Sequence, residues 1–270
     1  MSQEVLYRKW RPGTFGDVAG QDPIMTTLRH AVAAASPAHA YLFTGPRGTG
    51  KTSTGRILAK AVNCTAPLDG EPCNLCDSCR AFSEGRALDL IELDAASNRG
   101  IDEVRALREG VGYSPNAATY KVYLVDEVHM LTDAAFNALL KTLEEPPPHV
   151  IFVLATTEPH RIPPTISSRC QRFDFRRIAL PDIVQRLNAI AAGEGIAVAD
   201  GGMELIARQA GGSLRDAVNL LDQLAAFRGT TLDLDGVQRG LGLVVDDRAP
   251  QLARAAIERD LAAGLGLLSA

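Results

Sequence analysis

The feature that most constrains the fold of this chain is a glycine-rich segment at residues 45–52, directly after the apolar run Tyr41–Phe43. The segment reads Gly-Pro-Arg-Gly-Thr-Gly-Lys-Thr and fits the pattern G-x-x-x-x-G-K-[ST] at every position. Between a strand and a helix, such a loop turns backbone N–H groups towards a phosphate, and the helix N-terminus adds a favourable dipole. The sequence therefore predicts a site for nucleotide phosphates; the alternative is a glycine-rich turn without a ligand.

The residues of this loop have separate expected roles. Lys51 would neutralise charge on the β- and γ-phosphates, and the Thr52 hydroxyl would be a ligand of Mg²⁺. The residues expected around the nucleotide phosphates are Gly45, Pro46, Arg47, Gly48, Thr49, Gly50, Lys51, Thr52 and Ser53.

Two acidic residues, Asp126 and Glu127, follow a second apolar run at Val122–Val125. The carboxyl ends of strands are where α/β sheets bind their ligands. Asp126 would hold the Mg²⁺ directly or through a water, and Glu127 would polarise the attacking water as a general base. A strand that ends in a solvated turn is the alternative, and the loop at 45–52 favours the catalytic interpretation.

A third apolar run, Val150–Ala155, ends in Thr156, Thr157 and Glu158. A polar side chain at this point would lie between the γ-phosphate and the catalytic acid. We therefore predict this role for Thr157, or else for Thr156, with a plain strand-terminal turn as the alternative.

Apolar, β-forming runs alternate with amphipathic helical patterns over the first two thirds of the chain; the runs are Tyr41–Phe43, Asp89–Leu93, Val122–Val125, Val150–Ala155 and Phe173–Phe175. This alternation predicts an α/β fold with a parallel sheet covered by helices. After residue 181 the strand signal disappears, and helical patterns follow at Ile183–Ala192, Met203–Ala210 and Leu214–Phe227. The predicted domains are a nucleotide-binding core at 1–178, a small all-helical domain at 179–242 and the beginning of a further domain at 243–270.

Four cysteines, Cys64, Cys73, Cys76 and Cys79, interrupt the core with the spacing C-x8-C-x2-C-x2-C. Four thiolates suit a tetrahedral ion and leave no ligand position for water, so we predict a structural Zn²⁺ site, a zinc knuckle at 64–79. Redox chemistry of a C-x-x-C pair is the alternative, which the additional cysteines disfavour. Phe82 is the one aromatic residue nearby, so we expect the knuckle to brace the fold or to contact a partner rather than to bind nucleic acid. Cys170 lies apart and is expected to be a small core residue.

Composition limits the possible partners and compartments. The formal net charge is −4 and the pI is near 5.8, so overall charge does not attract DNA, and any such contact needs a local basic patch or an assembly. No apolar run approaches the ~18 residues of a membrane helix, and the first residues lack a secretory pattern. We therefore expect a cytoplasmic protein without a membrane partner, in a compartment where thiols stay reduced.

Further motifs resemble those of one family. These are Tyr7-Arg8-Lys9-Trp10-Arg11-Pro12 with Phe15 and Gly20-Gln21, Leu143-Glu144-Glu145-Pro146-Pro147, Ser168-Arg169-Cys170 after Pro163-Pro164-Thr165-Ile166, and Gly212-Ser213-Leu214-Arg215-Asp216. Together with the loop, the acidic pair and the position of the cysteines, they resemble the AAA+ clamp-loader ATPases of bacteria, in particular the gamma/tau family of the DNA polymerase III holoenzyme. The resemblance runs from about residue 3 to residue 243, and no catalytic motif departs from the family pattern.

The resemblance implies further site residues. ATP would be the nucleotide, with its adenine against Tyr7, Arg11, Pro12 and Val18 at the seam between the core and a helical lid. Arg169 would act in trans as an arginine finger on the γ-phosphate of a neighbouring subunit, and Arg215 would sense the γ-phosphate in cis from the lid. The alternative for each arginine is a surface salt bridge.

The function implied is that of an ATPase subunit of the replicative clamp loader, which loads the sliding clamp onto primed DNA. The implied partners are the other subunits of a hetero-oligomeric ring, the clamp, primed DNA, and polymerase and helicase through C-terminal regions. Ser97–Asp102 and Arg105 are candidates for DNA contact, with a solvated helix face as the alternative. Alone, the chain is expected to be a monomer with weak ATPase activity, because the trans arginine needs a neighbour and the C-terminal collar is mostly absent.

The same sequence leaves two other functions as alternatives. The first is a nucleotide-binding scaffold of the polymerase holoenzyme with little hydrolysis, which the joint presence of Lys51, Thr52, Asp126 and Glu127 disfavours. The second is a hexameric helicase or branch-migration ATPase of the same superclass, which the cysteine knuckle and the Ser168-Arg169-Cys170 motif disfavour.

Overall fold

The computed structural model of the chain describes residues 5–98, 100–243 and 248–269. Its centre is a five-stranded sheet with the strand order β2-β3-β4-β1-β5, in which all neighbours are parallel. The strands are β1 Ala40–Thr44, β2 Leu90–Asp94, β3 Lys121–Asp126, β4 Val150–Thr156 and β5 Gln171–Asp174. The predicted parallel α/β fold is confirmed, and the glycine-rich loop after β1 lies beside the ends of β4 and β5.

Helices cover both faces of this sheet. The helices that precede the lid in the chain are α1 Leu6–Lys9, α2 Asp22–Ala33, α3 Lys51–Val62, α4 Asp77–Ser83, α5 Ile101–Val111, α6 Asp133–Glu144 and α7 Pro164–Ser167, of which α1 lies against the lid and not on the sheet. Short 3₁₀ turns lie at Phe15–Asp17, Val128–Met130 and Pro159–Arg161.

The core consists of two apolar layers because successive side chains of a strand point to opposite faces. Every residue of β4 is buried. Its Phe152 and Leu154 pack on one face with apolar residues of α5 and α6, and its Ile151 and Val153 pack on the other face with residues of α2 and α3.

The largest shift of a strand boundary from the sequence expectation is in the fifth strand. The fifth strand was predicted at Phe173–Phe175, from its apolar residues, but β5 covers Gln171–Asp174. The ladder with β1 begins at the pair Tyr41 and Gln171, two residues before the first apolar side chain. Backbone pairing with the buried strand β1 therefore defines this edge strand. Its first two residues are polar and exposed, so no apolar pattern in the sequence marked the beginning of the strand.

A helical lid follows the sheet. Its helices α8 Leu180–Glu194, α9 Gly202–Gln209, α10 Leu214–Arg228 and α11 Leu234–Gly240 enclose a separate apolar cluster. Two short strands, β6 Ala197–Val198 and β7 Thr231–Leu232, pair in parallel within it. The sequence did not predict them, because two residues are too few to show an alternating pattern.

The N-terminal helix α1 packs against this lid. Leu6 is buried in the lid cluster and its backbone N–H donates to Asp222 Oδ2 at 3.2 Å. Trp10 Nε1 donates to Glu194 Oε1 at 2.6 Å. The N-terminal segment therefore packs on the lid before the chain continues to the sheet.

The last helices are α12 Arg248–Glu258 and α13 Leu261–Ser269, which contact each other. The assignment of 243–270 to a further domain stays a prediction, as do the bounds of the other two domains. Among the helices in the described part of the chain, none is both long and apolar enough to cross a membrane.

Asp89 fixes the loop that leads into β3. Its carboxylate accepts backbone N–H groups from Asn116 at 2.8 Å and from Ala117 and Ala118 at 3.0 Å each. Burial of this carboxyl opposes its ionisation, but the N–H groups of Ala117, Asn116 and Ala118 outweigh burial and hold the pKa of Asp89 below its usual value. The ionised Asp89 therefore stabilises the fold.

We expect Asp89→Asn to lower the free energy of unfolding at pH 7 by about 1–3 kcal/mol, because the amide replaces a charged acceptor of several N–H groups. The folded pKa lies below the unfolded value of about 3.9, so this stabilisation is present above pH ~4 and is lost as the pH falls through the folded pKa. Urea unfolding of both proteins between pH 7 and pH ~3 measures the difference. The exposed Asp200→Asn is the control, and a difference that does not change with pH would contradict the assignment.

Candidate nucleotide site and cysteine cluster

The glycine-rich loop is closely packed against its surroundings at two glycines. A Cβ at Gly45, whose φ is +139°, would lie 2.3 Å from the carbonyl oxygen of Phe175. A Cβ at Gly48, whose φ is +75°, would lie 1.9 Å from Ser213 Oγ of the lid. Only glycine satisfies both the backbone conformation and the space, so the loop is held in one shape between the sheet edge and the lid.

Lys51 is buried at the beginning of α3, with 6% of its surface exposed. Its Nζ donates to the carbonyl oxygens of Gly45 at 2.7 Å and Pro46 at 2.8 Å. Burial lowers the pKa of Lys51, and the nearby carboxylates of Glu127 and Asp126 oppose that effect. The ammonium group is therefore positioned across the loop by the loop's own carbonyl groups.

A hydrogen bond joins the loop to the acidic pair. Thr52 Oγ1 donates to Asp126 Oδ2 at 2.7 Å, and the other carboxylate oxygen of Asp126 accepts the N–H of Glu127 at 3.0 Å. Hydroxyl and carboxylate oxygens are ligands that suit Mg²⁺. The two residues predicted to hold Mg²⁺ are thus adjacent, and their donor atoms fit this ion.

Glu127 lies at a sharp turn after β3. Its backbone is left-handed, with φ 47° and ψ 45°, a conformation that is uncommon for a residue other than glycine. Its Oε2 accepts the Thr157 hydroxyl at 2.9 Å and the Thr157 N–H at 3.3 Å. The strained turn therefore directs the carboxylate towards the end of β4.

The two candidate threonines have different surroundings. Thr157 contacts Glu127 directly, whereas Thr156 is buried and its Oγ1 lies 3.0 Å from His129 Nδ1. Of the two alternatives left open by the sequence, Thr157 is the one next to the acidic pair.

His129 is a residue of the site that sequence reasoning missed. It is buried, its Nδ1 lies 3.4 Å from Glu127 Oε2, and its Nε2 lies 3.2 Å from Glu158 Oε1. The fold brings this histidine between the two carboxylates.

The lid reaches the loop through the first turn of α10. The N–H of Leu214 donates to the carbonyl oxygen of Gly48 at 3.1 Å. Arg215 lies over the ring of Tyr7, with 4.8 Å between the guanidinium carbon and the ring centroid. The arginine and the N-terminal segment therefore meet on the lid side of the loop.

A cleft of about 660 Å³ separates the core from the lid, a volume within the range of small-molecule sites. The predicted residues Tyr7, Arg11, Pro12 and Val18 all line it, together with the loop from Arg47 to Ser53, Asp126, Glu127 and Arg215. Arg186, Ile190 and Val218 also line it and were not predicted. Arg186 and Ile190 are one helical turn apart on α8, and this spacing is the signal in the sequence that could have placed them on one face of the helix.

Arg169 lies away from this cleft. It donates to Glu144 Oε1 at 2.8 Å and to the carbonyl oxygen of Thr165 at 2.7 Å. Of the candidates for DNA contact at Ser97–Asp102 and Arg105, Ser97 and Asn98 both donate hydrogen bonds to Asp94. Arg99, and the side chains of Ile101, Asp102 and Arg105, lie outside the described residues.

The four cysteines form one cluster in which all sulfur atoms lie within 4.8 Å of one another. Backbone N–H groups point at the sulfurs: Cys73 N to Cys64 Sγ at 3.3 Å, Cys76 N to Cys73 Sγ at 3.4 Å, and Cys79 N to Cys76 Sγ at 3.4 Å. Burial raises the pKa of Cys76, but the Cys79 N–H and the groups of Thr65 outweigh burial and lower it to about 5. The donor set can hold a thiophilic metal ion.

Cys170 is separate from this cluster and packs, partly buried, against the apolar layer of the sheet. Burial raises the pKa of its thiol to about 11. It therefore has the environment expected of a small core residue.

The fold and the loop define an AAA+ P-loop architecture. The structure of the Thermotoga maritima RuvB Holliday junction branch migration motor superimposes with a TM-score of 0.64 at 17% identity, over 93% of this chain and 80% of that one. At this identity the likeness shows the fold.

The family follows from sequence comparison. A family model described as "DNA polymerase III, delta subunit" matches residues 20–179, and one described as "DNA polymerase III clamp loader subunit, ATPase lid domain" matches residues 182–229. This chain belongs to the family of DNA polymerase III clamp-loader subunits.

Three relatives illustrate this membership. The DNA polymerase III subunit tau of Bacillus subtilis is 52% identical over 100% of this chain and 48% of its own length, and that of Escherichia coli is 47% identical over 96% and 40%. Subunit gamma of Buchnera aphidicola is 42% identical over 96% of this chain and 72% of its own length. The chain thus spans less than half the length of the two tau relatives.

We expect Gly48→Ala to loosen the lid at the loop, because a Cβ at this position strains a φ of +75° and would lie 1.9 Å from Ser213 Oγ. The N–H of Leu214, which is bonded to Gly48, should exchange about tenfold faster in hydrogen–deuterium exchange at the beginning of α10. Gly85→Ala is a matched control, because Gly85 has a similar φ of +69° and open space around a Cβ. Equal exchange in the two variants would contradict the contact.

Proposed function

We propose that this chain binds ATP with Mg²⁺ in the cleft between core and lid and hydrolyses it as an ATPase subunit of a DNA polymerase III clamp loader. The observation that carries the proposal is the hydrogen bond of 2.7 Å between Thr52 and Asp126, which joins a phosphate-binding loop to a pair of acids. Family membership supports the same activity.

Binding uses groups that already face the cleft. The Lys51 ammonium exchanges its carbonyl partners for β- and γ-phosphate oxygens, and the N–H groups of the loop surround the phosphates. Thr52 and Asp126 would hold Mg²⁺, which supplies charge neutralisation at the phosphates when bound. Tyr7 and Val18 line the cleft and would contact the adenine.

Hydrolysis uses the carboxylate of Glu127 as a general base that takes a proton from the attacking water. Thr157, at 2.9 Å from this carboxylate, orients it and would report the presence of the γ-phosphate. The buried His129 supports the carboxylate from the other side, at 3.4 Å.

Two arginines couple the nucleotide to its surroundings. Arg215 acts in cis from the lid, where it lies over Tyr7 at the edge of the cleft. Arg169 acts in trans as a finger on the nucleotide of a neighbouring subunit, which its position away from its own cleft supports. Such fingers contribute about 10³–10⁵ in rate where they have been measured.

In the assembled clamp loader, ATP favours a state that holds the sliding clamp open on primed DNA, and hydrolysis releases both. The partners are the other subunits of the ring, the clamp and primed DNA, which is contacted through its phosphates without base readout. Polymerase and helicase would be reached through regions that the longer tau relatives have beyond this chain. The site of action is the replication machinery in the cytoplasm.

We expect Glu127→Gln to reduce kcat for ATP in the assembled clamp loader by about 10²–10⁴-fold, because the amide cannot accept the proton of water. The Kd for Mg·ATP should change by less than about threefold, since Glu127 does not hold the phosphates. A steady-state ATPase assay and a binding titration measure the two quantities. The exposed Glu204→Gln of α9 is the control, and equal rates for Glu127→Gln and wild type would favour the scaffold alternative.

We further propose that the cysteine cluster holds one structural Zn²⁺, because four sulfurs within 4.8 Å and their N–H donors suit a closed tetrahedral site. Metal analysis of purified protein should find about one zinc per chain, and Cys76→Ser should lose it and unfold at a lower temperature. Cys170→Ser is the matched control and should keep the metal. Zinc retention by Cys76→Ser, or its absence from wild type, would contradict this assignment.

A further inference from the structure

Between the first and second cysteines of the cluster lies a hairpin tip that contacts the N-terminal segment of the chain. Leu68 and Glu71 exchange both backbone hydrogen bonds, at 3.0 and 2.8 Å, in an isolated antiparallel bridge. From this tip the Glu71 carboxylate accepts the N–H of Phe15 at 2.8 Å on Oε2 and the N–H of Gly16 at 2.9 Å on Oε1. Each carboxylate oxygen thus binds a separate backbone group of the N-terminal segment.

The segment that Glu71 holds forms a wall of the nucleotide cleft. Phe15 is fully buried and anchors the 3₁₀ turn Phe15–Asp17 in the apolar layer of α2 and α3. Asp17 and Val18, which follow directly, line the cleft. Glu71 therefore binds backbone N–H groups at the beginning of this wall.

The tip itself is held firmly. A Cβ at Gly70, whose φ is +78°, would lie 2.1 Å from the carbonyl oxygen of Arg29 in α2, so the hairpin packs on this helix without free space. Arg29 Nε donates to the carbonyl oxygen of Asp69 at 3.2 Å and lies 3.5 Å from Glu71 Oε1. Glu71 is thus fixed on both its backbone and its carboxylate.

Residues 64–84, the segment with the four cysteines and α4 that we call the cysteine module, also contact the helix of the phosphate-binding loop. Lys60, in the last turns of α3, is buried, and its Nζ donates to Asn74 Oδ1 and, at 3.4 Å, to Ser83 Oγ. Burial lowers the pKa of Lys60, whereas Cys79 and Asp17 oppose this effect. The cysteine module therefore connects the loop helix to the Phe15–Val18 wall.

From these contacts we propose that Glu71 is a positioning residue for nucleotide binding, through which the cysteine module holds the Phe15–Val18 wall against the nucleotide. This inference rests on the proposed ATP site and adds a determinant of its affinity. Glu71 touches neither the phosphates nor the acidic pair, so its loss weakens binding and leaves the chemical step unchanged.

The test uses Glu71→Ala, with Glu71→Gln as the conservative variant, because a glutamine oxygen can still accept one of the two N–H groups. Glu84→Ala is the matched control, since Glu84 is an exposed acid of the same module that pairs with Arg86. The measurements are the Kd for a fluorescent Mg·ATP analogue, KM and kcat for ATP in the assembled clamp loader, and zinc content.

For Glu71→Ala we expect Kd and KM to rise about tenfold, kcat to stay within about twofold, and zinc content to match wild type. Glu71→Gln should lie between Glu71→Ala and wild type, and Glu84→Ala should equal wild type. A merely structural role would lower kcat and zinc content together with affinity.

If Glu71→Ala has the same Kd for the Mg·ATP analogue as wild type, this inference is wrong and the proposed function stands. A fall in kcat at constant Kd has the same consequence. Loss of zinc in both Glu71 variants would also overturn it, because the residue would then act through folding of the module. Absence of nucleotide binding by wild type would instead contradict the proposed function, and the inference with it.

Discussion

The hydrogen bond between Thr52 and Asp126, at 2.7 Å, is the interaction on which the rest of the site depends. It joins the helix after β1 to the end of β3, two strands that lie on either side of β4. Because parallel strands end at the same edge of the sheet, the loop, the acidic pair and Thr157 converge there. The fold itself therefore brings together the groups that the proposed chemistry uses.

Around this fixed centre, the remaining walls of the cleft come from segments that are distant in sequence. Arg215 of the lid lies over Tyr7 of the N-terminal segment, and Leu214 is bonded to Gly48 of the loop. The lid and the N-terminal segment are thus held at the cleft by contacts between segments that are far apart in the chain. In the proposed function, this division separates the groups assigned to hydrolysis from those assigned to affinity and to the response to bound nucleotide.

The sequence predicted the sheet, the phosphate-binding loop and the acidic pair because each is encoded by a short, contiguous pattern with a known physical requirement. It left Thr156 and Thr157 as alternatives, since only the turn at Glu127 determines which hydroxyl meets the carboxylate. It missed His129 and Glu71, whose contacts depend on packing between segments far apart in the chain. It also missed β6 and β7, whose two-residue length carries no periodicity.

The central claim is that the cleft between core and lid is a Mg·ATP site formed by the loop at 45–52 and the acid at 126. Isothermal titration calorimetry of Mg·ATP into the purified chain tests it most directly. We expect one nucleotide to bind per chain, with an affinity that falls at least about tenfold when Mg²⁺ is chelated and again when Lys51 is replaced by alanine. Binding that is absent in wild type, or that is indifferent to both changes, would contradict it.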